Sequence, residues 1–310
     1  VYITESKLLE EVMVDRRILI TGGASGLGRA LAAGALRDGA RVLITDRDTA
    51  AGELARLEFA EQLREAGQDT DRIVFLPMDV RSETDWVAVR EWVQREWAGL
   101  DVLVNNAGVA HGGPIADTPM ADWDWIIDIN LKGAVRGVHT FLPVFTAQGG
   151  GHVVNIASLA GLANLPNMAP YNVTKAGVIS LSETMRHELA AAGVRTTVVC
   201  PSFFATNLAD GMRATDPSFE VVARQMLSGA ARPGPKLTAD DVARKVLRAV
   251  DRRRFWCLPH VEGHALWLTK RYLPVAFNLS VKVSNQVMNR LVSRPCPAAT
   301  DGSVAPRNGI

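Results

Sequence analysis

The stretch Arg17-Ile18-Leu19-Ile20-Thr21-Gly22-Gly23-Ala24-Ser25-Gly26-Leu27-Gly28-Arg29-Ala30-Leu31 decides the architecture. A short apolar run enters a glycine-rich turn, and a helical apolar pattern begins directly behind it. Gly22 permits a tight turn, Gly26 leaves room for backbone to approach an anion, and Gly28 lets the helix lie close on the strand. The first turn of that helix offers unpaired N–H groups and a partial positive charge. A strand before and a helix after distinguish a pyrophosphate-binding loop from an ordinary turn. Gly22, Ser25, Gly26, Leu27 and Gly28 are therefore candidate contacts to a dinucleotide.

Outward from this loop, apolar strand-like runs at 17–21, 41–46, 73–79, 102–105, 152–157, 196–201 and 255–258 alternate with helical patterns. The clearest helical patterns cover 27–38, 84–97, 123–141 and 171–192, with another at 237–250. The runs are rich in Val, Ile and Leu without polar alternation, as in strands covered on both faces. Repeated strand–helix–strand units predict a doubly wound α/β fold with a parallel sheet and right-handed crossovers. No linker interrupts them, so residues 14–259 read as one domain. Residues 1–13 read as an N-terminal extension, either foreign to a chain that starts at Met13 or an ordinary frayed arm. Residues 260–294 read as an amphipathic helical extension and 295–310 as a flexible tail.

The composition fits a globular protein. The chain has 310 residues, 47% of them apolar and 22% charged, with a formal net charge of +1. These values exclude a disordered chain and a general polyanion binder, so no nucleic-acid partner is expected. Three cysteines make no disulfide framework; Cys200 and Cys257 read as small buried hydrophobes, as in a reducing compartment. With neither a membrane-length apolar run nor a secretory pattern, a cytoplasmic location is expected.

Asp46 ends the second strand about 20 residues past the glycines, where a carboxylate accepts hydrogen bonds from an adenosine ribose and repels a 2′-phosphate. Arg47 follows and attracts that phosphate. The reading favours NAD and leaves NADP open. Asp46 as a plain helix cap suits either.

Further along, Ser158 lies 13 residues before Tyr171, and Tyr171-Asn172-Val173-Thr174-Lys175 opens a helix. Tyr and Lys at i and i+4 share one helix face. To oxidise an alcohol by hydride transfer, a base must take the hydroxyl proton; in reverse the same group returns it. A free phenol with a pKa of about 10 is a poor base at neutral pH. An ammonium 4 Å away favours phenolate by about 4 kcal/mol at an effective dielectric of 20, before desolvation. The sequence thus predicts that Lys175 lowers the Tyr171 pKa, while Ser158 steadies the substrate oxygen.

Thr21-Gly22-x-x-x-Gly26-x-Gly28, Asn105-Asn106-Ala107-Gly108, Ser158 and Tyr171-x-x-x-Lys175, in this order and spacing, resemble the short-chain dehydrogenase/reductase family. The resemblance spans about residues 17–259. It implies a single Rossmann domain with a seven-stranded, mainly parallel sheet, and a homodimer or homotetramer. It implies Tyr171 as acid/base, Lys175 as its pKa-lowering and ribose-binding partner, Ser158 as the substrate-oxygen donor, and Asn130 as the holder of a relay water. Asp79 and Val80 match the adenine-contacting pair, and Asn106, Ala107 and Gly108 a wall beside the adenosine. Pro201 falls at the cofactor, and Thr206 at the nicotinamide carboxamide. The family usually has Pro-Gly where this chain has Pro201-Ser202, which puts the shape of that turn in question.

Phe203, Phe204, Leu208, Met212, Phe219, Met226 and Leu227 form either an apolar substrate lid or core beneath an ordered helix pair. As a lid they point to a hydrophobic secondary alcohol or ketone. From 252 to 294 the chain carries Arg252, Arg253, Arg254, Lys270, Arg271, Lys282, Arg290 and Arg294 against Glu262 alone. Such a basic, Trp-containing helix lies on an anionic membrane surface, covers the cleft, or packs on another subunit. His260-x-x-x-His264 has helical metal-ligand spacing but no third ligand nearby, so no metal is expected. The leading reading is an NAD-dependent oxidoreductase. The alternatives are an NADPH-dependent ketoreductase and a non-catalytic dinucleotide-responsive binding protein.

Overall fold

The computed structural model describes residues 15–202, 208, 211–215 and 237–292. In chain order its strands are β1 (Arg17–Thr21), β2 (Arg41–Asp46), β3 (Ile73–Pro77), β4 (Val102–Asn105), β5 (His111–Gly112), β6 (Gly151–Ile156), β7 (Val194–Val199), β8 (Arg213–Ala214) and β9 (Trp256–Cys257). Seven of them form one sheet in the order β3-β2-β1-β4-β6-β7-β9, every neighbouring pair parallel. The expected sheet is present. β5 and β8 pair separately.

The helices are α1 (Gly26–Arg37), α2 (Thr49–Glu65), α3 (Glu83–Trp97), α4 (Met120–Ile127), α5 (Gly133–Ala147), α6 (Leu159–Ala163), α7 (Ala169–Glu188), α8 (Ala239–Asp251), α9 (Val261–Tyr272) and α10 (Pro274–Val292). Alternate residues of β1 explain the layers. Ile18 and Ile20 join Leu31 of α1, Phe59 of α2 and Val246 of α8 in one cluster. Leu19 between them joins Trp86 and Val93 of α3 and Phe141 and Phe145 of α5 in another. Both sheet faces are dry, which is why the strands read as unbroken apolar runs. Each fully buried Leu or Ile contributes about 1.5–3 kcal/mol relative to exposure.

Several boundaries differ from the sequence reading. The third strand stops at Pro77 rather than Asp79, because the Asp79 N–H turns to the Asp85 carboxylate at 2.9 Å. The pattern over 123–141 is two helices, α4 and α5, joined by a π-helical turn (Asp128–Lys132) in which the Gly133 N–H reaches back to the Asp128 carbonyl. One apolar stripe continues through such a turn, so periodicity alone does not reveal it. The C-terminal extension is two helices: Pro274 breaks the pattern after Leu273. Phe277 and Leu266 pack with Leu159 and Ala163 of α6, and Lys270 Nζ donates to the Leu162 carbonyl at 2.5 Å. Trp267 stacks inward, 5.6 Å from Trp256. Neither Lys270 nor Trp267 is thus an outward anchor for a membrane surface. No helix among the described residues is long and apolar enough to cross a membrane.

The strand order reverses between β1 and β4. Ligands of open parallel sheets bind in the crevice beyond the carboxyl ends of the strands at such a switch point.

Candidate active site

At this switch point the glycine loop is clamped to the end of β4. Thr21 Oγ1 accepts the N–H groups of Asn106 and Ala107, both at 3.0 Å, and Asn106 Nδ2 donates to the carbonyls of Thr21 (2.8 Å) and Gly22 (3.0 Å). Gly22 has φ +64°, and a Cβ there would stand 2.9 Å from Ala107 Cα; one at Gly28 would stand 2.1 Å from the Gly22 carbonyl oxygen. The loop tolerates no side chain at either place. Ser25, the N-cap of α1, makes no side-chain capping bond, so the first-turn N–H groups are left toward the cleft. That cradle fits the pyrophosphate of a dinucleotide.

Asp46 closes one end of the cleft. Its Oδ2 accepts the Ala24 N–H at 3.3 Å and its Oδ1 the Asp48 N–H at 3.1 Å, which aims the carboxylate across the loop. Arg47, Asp79, Val80 and Arg81 line the same end. Arg81 grips Asp79 at 2.5 Å and holds its carboxyl below the usual range, with a smaller contribution from Arg47. Sequence reasoning passed over Arg81. Its signal was the Asp79-x-Arg81 spacing, which lets one residue fork onto the other across a turn.

The other end carries the hydroxyl pair. Ser158 caps α6 in an extended conformation, its Oγ accepting the Ala160 N–H at 3.1 Å. Tyr171 and Lys175 leave the same face of α7 into the cleft, where Ser158 lies beside the Tyr171 hydroxyl. Lys175 Nζ lies 5.7 Å from the Tyr171 ring centroid and donates to the Ile156 carbonyl at 2.8 Å. Burial pushes the phenol up to about 12, opposed only by Ser158, and pushes Lys175 down to about 8. The lowering of the phenol expected from Lys175 is therefore absent in this arrangement. Its ammonium is directed at a backbone carbonyl rather than at the phenol oxygen, and both groups are desolvated.

Asn130 sits in the π-helical turn, nearly inaccessible. Its Oδ1 accepts the Val109 N–H (2.8 Å), and its Nδ2 donates to the Val109 carbonyl (2.9 Å) and to Thr174 Oγ1 (3.2 Å). Thr174 in turn donates to the Tyr171 carbonyl at 2.9 Å. Thr174, to which the sequence assigned no role, thus ties Asn130 to the helix that carries the phenol. A Cβ on Gly108 would meet Asn130 Oδ1 at 3.2 Å and Lys175 Nζ at 3.4 Å, so the chain behind β4 passes between the two.

Pro201 and Ser202 line the cleft, with Leu165, Leu208 and Leu266. The question over Pro201-Ser202 is answered by the backbone: among the described residues Ser202 is not one of those at positive φ, so no glycine is required. Its N–H instead donates to His260 Nδ1 at 3.2 Å. His260 and His264 form no metal-binding group of three among the described residues. Around Tyr171 lie Ala110, Ile126 and Ala160, with Trp125, Met168, Leu208 and Met212 against them. The next residues are stapled down. β8 pairs with β5, Arg213 bonds Asp122 at 2.7 Å, and its guanidinium lies 4.1 Å from the Trp125 centroid. Thr206, Phe203, Phe204, Phe219, Met226 and Leu227 lie outside the described residues, as do residues 1–13 and 295–310.

Comparisons with known proteins agree with this geometry. Residues 16–217 match the short chain dehydrogenase family. An uncharacterised oxidoreductase of Staphylococcus aureus (strain USA300) is 29% identical over 205 residues, covering 66% of this chain and 85% of that protein. The probable oxidoreductase EphD of Mycobacterium tuberculosis is 30% identical over 276 residues, 87% of this chain but 45% of EphD. Among solved structures, a short-chain dehydrogenase/reductase from Burkholderia phymatum in complex with NAD superposes with a TM-score of 0.72 at 29% identity, over 93% of this chain and 99% of that one. With the glycine cradle, the Ser158–Tyr171 pair and this match in hand, the chain belongs to the short-chain dehydrogenase/reductase family.

Proposed function

We propose that this oxidoreductase transfers a hydride between NAD(H) and a hydrophobic secondary alcohol or ketone, with Tyr171 as general acid and base. One observation carries the reading: Tyr171, Ser158 and Lys175 share a cleft with the glycine loop and Asp46. Gly22, Gly26 and the α1 N-terminus would hold the pyrophosphate, and Asp46 the adenosine ribose. When bound, the nicotinamide gives or takes the hydride. The chain's own residues manage the proton. In reduction, Ser158 orients the carbonyl oxygen and Tyr171 donates to the alkoxide as charge develops. A phenol pushed up to about 12 is fully protonated at neutral pH and still more acidic than the alcohol that forms when it protonates the alkoxide, so the arrangement is ready for reduction. Oxidation needs phenolate. Lys175 supports it once its ammonium turns from the Ile156 carbonyl toward the phenol oxygen. Leu165, Leu208 and Leu266 support an apolar substrate.

An NADPH-dependent ketoreductase is the second reading, favoured by Arg47 and Arg81 at the adenosine end. The complex of the Burkholderia relative with NAD supports the first. A panel of alcohols and ketones, followed by absorbance of NADH and NADPH, tests both. Turnover with a hydrophobic ketone and NADH is expected. Absence of turnover with either cofactor, despite tight dinucleotide binding, would instead favour the non-catalytic binding protein. We also propose a homodimer or homotetramer on the basis of family membership, to be checked by light scattering.

A further inference from the structure

A second concavity lies at the opposite end of the sheet, where β4 and β6 begin. Arg16, Arg17, Arg195, Arg253, Asp101 and His152 line it, along with a glycine stretch at 149–151. The charges there do not balance. Arg17 is held by Asp101 at 2.7 and 2.9 Å, and Arg16 faces Asp251 at 3.6 Å. Among the described residues neither Arg195 nor Arg253 has a carboxylate partner. Four guanidiniums against two carboxylates leave two in excess.

The backbone at Arg253 is independent of that count. Arg252 caps the carboxyl end of α8, and Arg253 stands at φ +53°, the left-handed conformation that favours glycine. The N–H of Arg253 bonds the Val250 carbonyl at 3.0 Å and that of Arg254 the Ala249 carbonyl at 2.9 Å, a helix ending usually completed by glycine. An arginine is kept there at a local conformational cost, and its side chain is exposed at the cavity. His152 reports the same convergence. Its Nε2 lies 2.8 Å from Thr197 Oγ1, which itself donates to the Arg254 carbonyl at 2.7 Å, so neutral His152 donates from Nε2. Burial, followed by Arg16, Arg195 and Arg253, pushes its pKa down to about 4.

We propose that this cavity is an anion site that takes a multiply charged oxyanion, a phosphate or phosphate-ester group, held by Arg195 and Arg253 with Arg16 beside them. Guanidinium forks match the oxygen geometry of such a group, and Gly149 at the rim has open space where a side chain would stand. The site stands a strand's length from the glycine loop, roughly 17 Å for five residues. Its ligand therefore does not compete with a dinucleotide.

The test is isothermal titration of the full chain with inorganic phosphate and with pyrophosphate, against sodium chloride of matched ionic strength. Saturable binding is expected, tighter for pyrophosphate, and weakened at least tenfold in Arg195→Ala and in Arg253→Gly. Arg253→Gly relieves the left-handed arginine, so it keeps the fold intact while removing the charge. NADH affinity should be the same in all three proteins. Phosphate binding that ignores both substitutions belongs to the glycine loop and overturns the proposal. So does a response no larger than that to sodium chloride, which would leave Arg253 serving only the carboxyl end of α8.

Discussion

The imidazole Nδ1 of His260 accepts the backbone N–H of Ser202 at 3.2 Å, joining the start of the C-terminal helices to the turn behind β7. Both residues are buried. A side-chain acceptor thus fixes a turn at the floor of the cleft, and the following helix brings Leu266 to its wall. His260→Leu leaves the Ser202 N–H without this acceptor, which costs about 1–3 kcal/mol in stability if no water replaces it. It should also raise KM for the substrate more than it lowers kcat. His260→Asn, whose side-chain oxygen can take the place of Nδ1, should recover most of both. Steady-state kinetics and thermal unfolding of the two variants decide it; equal behaviour would remove the turn-fixing role.

Tyr171→Phe removes the hydroxyl beside Ser158 and keeps the ring packed against Ala110 and Ile126. Turnover should fall by roughly 10²–10⁴, the usual worth of a general acid. NADH affinity measured by fluorescence should stay within about twofold. Full activity in this variant would refute the acid/base assignment.

Under the proposed function, Asp46 and the guanidiniums of Arg47 and Arg81, which line the same end of the cleft, pull the choice of cofactor in opposite directions. Asp46→Ala should weaken NADH by about tenfold, equivalent to about 1.4 kcal/mol, and strengthen NADPH by relieving the repulsion of its 2′-phosphate. Dissociation constants for both dinucleotides check this. An unchanged ratio would assign Asp46 to capping the turn alone.

His152 sets an acid limit on stability. Its folded pKa of about 4 lies below the ordinary 6.5, so between these values the unfolded chain binds more protons. This group's contribution is complete above pH 6.5 and is lost as the pH falls toward 4, by on the order of 3 kcal/mol in total. Urea unfolding between pH 4 and 6.5 should show this slope, and it should flatten in His152→Gln. An unchanged slope in that variant would assign the acid sensitivity to other groups.

Much of this protein was legible in its residues because the information is local. A glycine at positive φ, a helix opening behind it and strands without polar alternation are each written in a few consecutive positions. So the parallel sheet, the glycine turn behind β1 and the place of Ser158, Tyr171 and Lys175 in the same cleft could be named in advance. The π-helical turn at Asp128–Lys132 could not, because one apolar stripe runs through it unchanged. Nor could the hydrogen bonds of Asn130 to Val109 and Thr174, which join residues 21 and 44 positions apart.

Sequence alone determined how the chain is layered and named Ser158, Tyr171, Lys175 and the glycine loop among the residues that line the cleft, since periodicity and backbone freedom are properties of neighbouring residues. Tertiary structure decided how those side chains behave. Burial, not the i+4 spacing, sets the phenol high and the lysine low, and directs its ammonium at the Ile156 carbonyl. The fold alone made His260 the partner of Ser202 and gathered four arginines round one hollow. Desolvation and fields depend on what surrounds a group in space, and that is defined only once distant segments have packed.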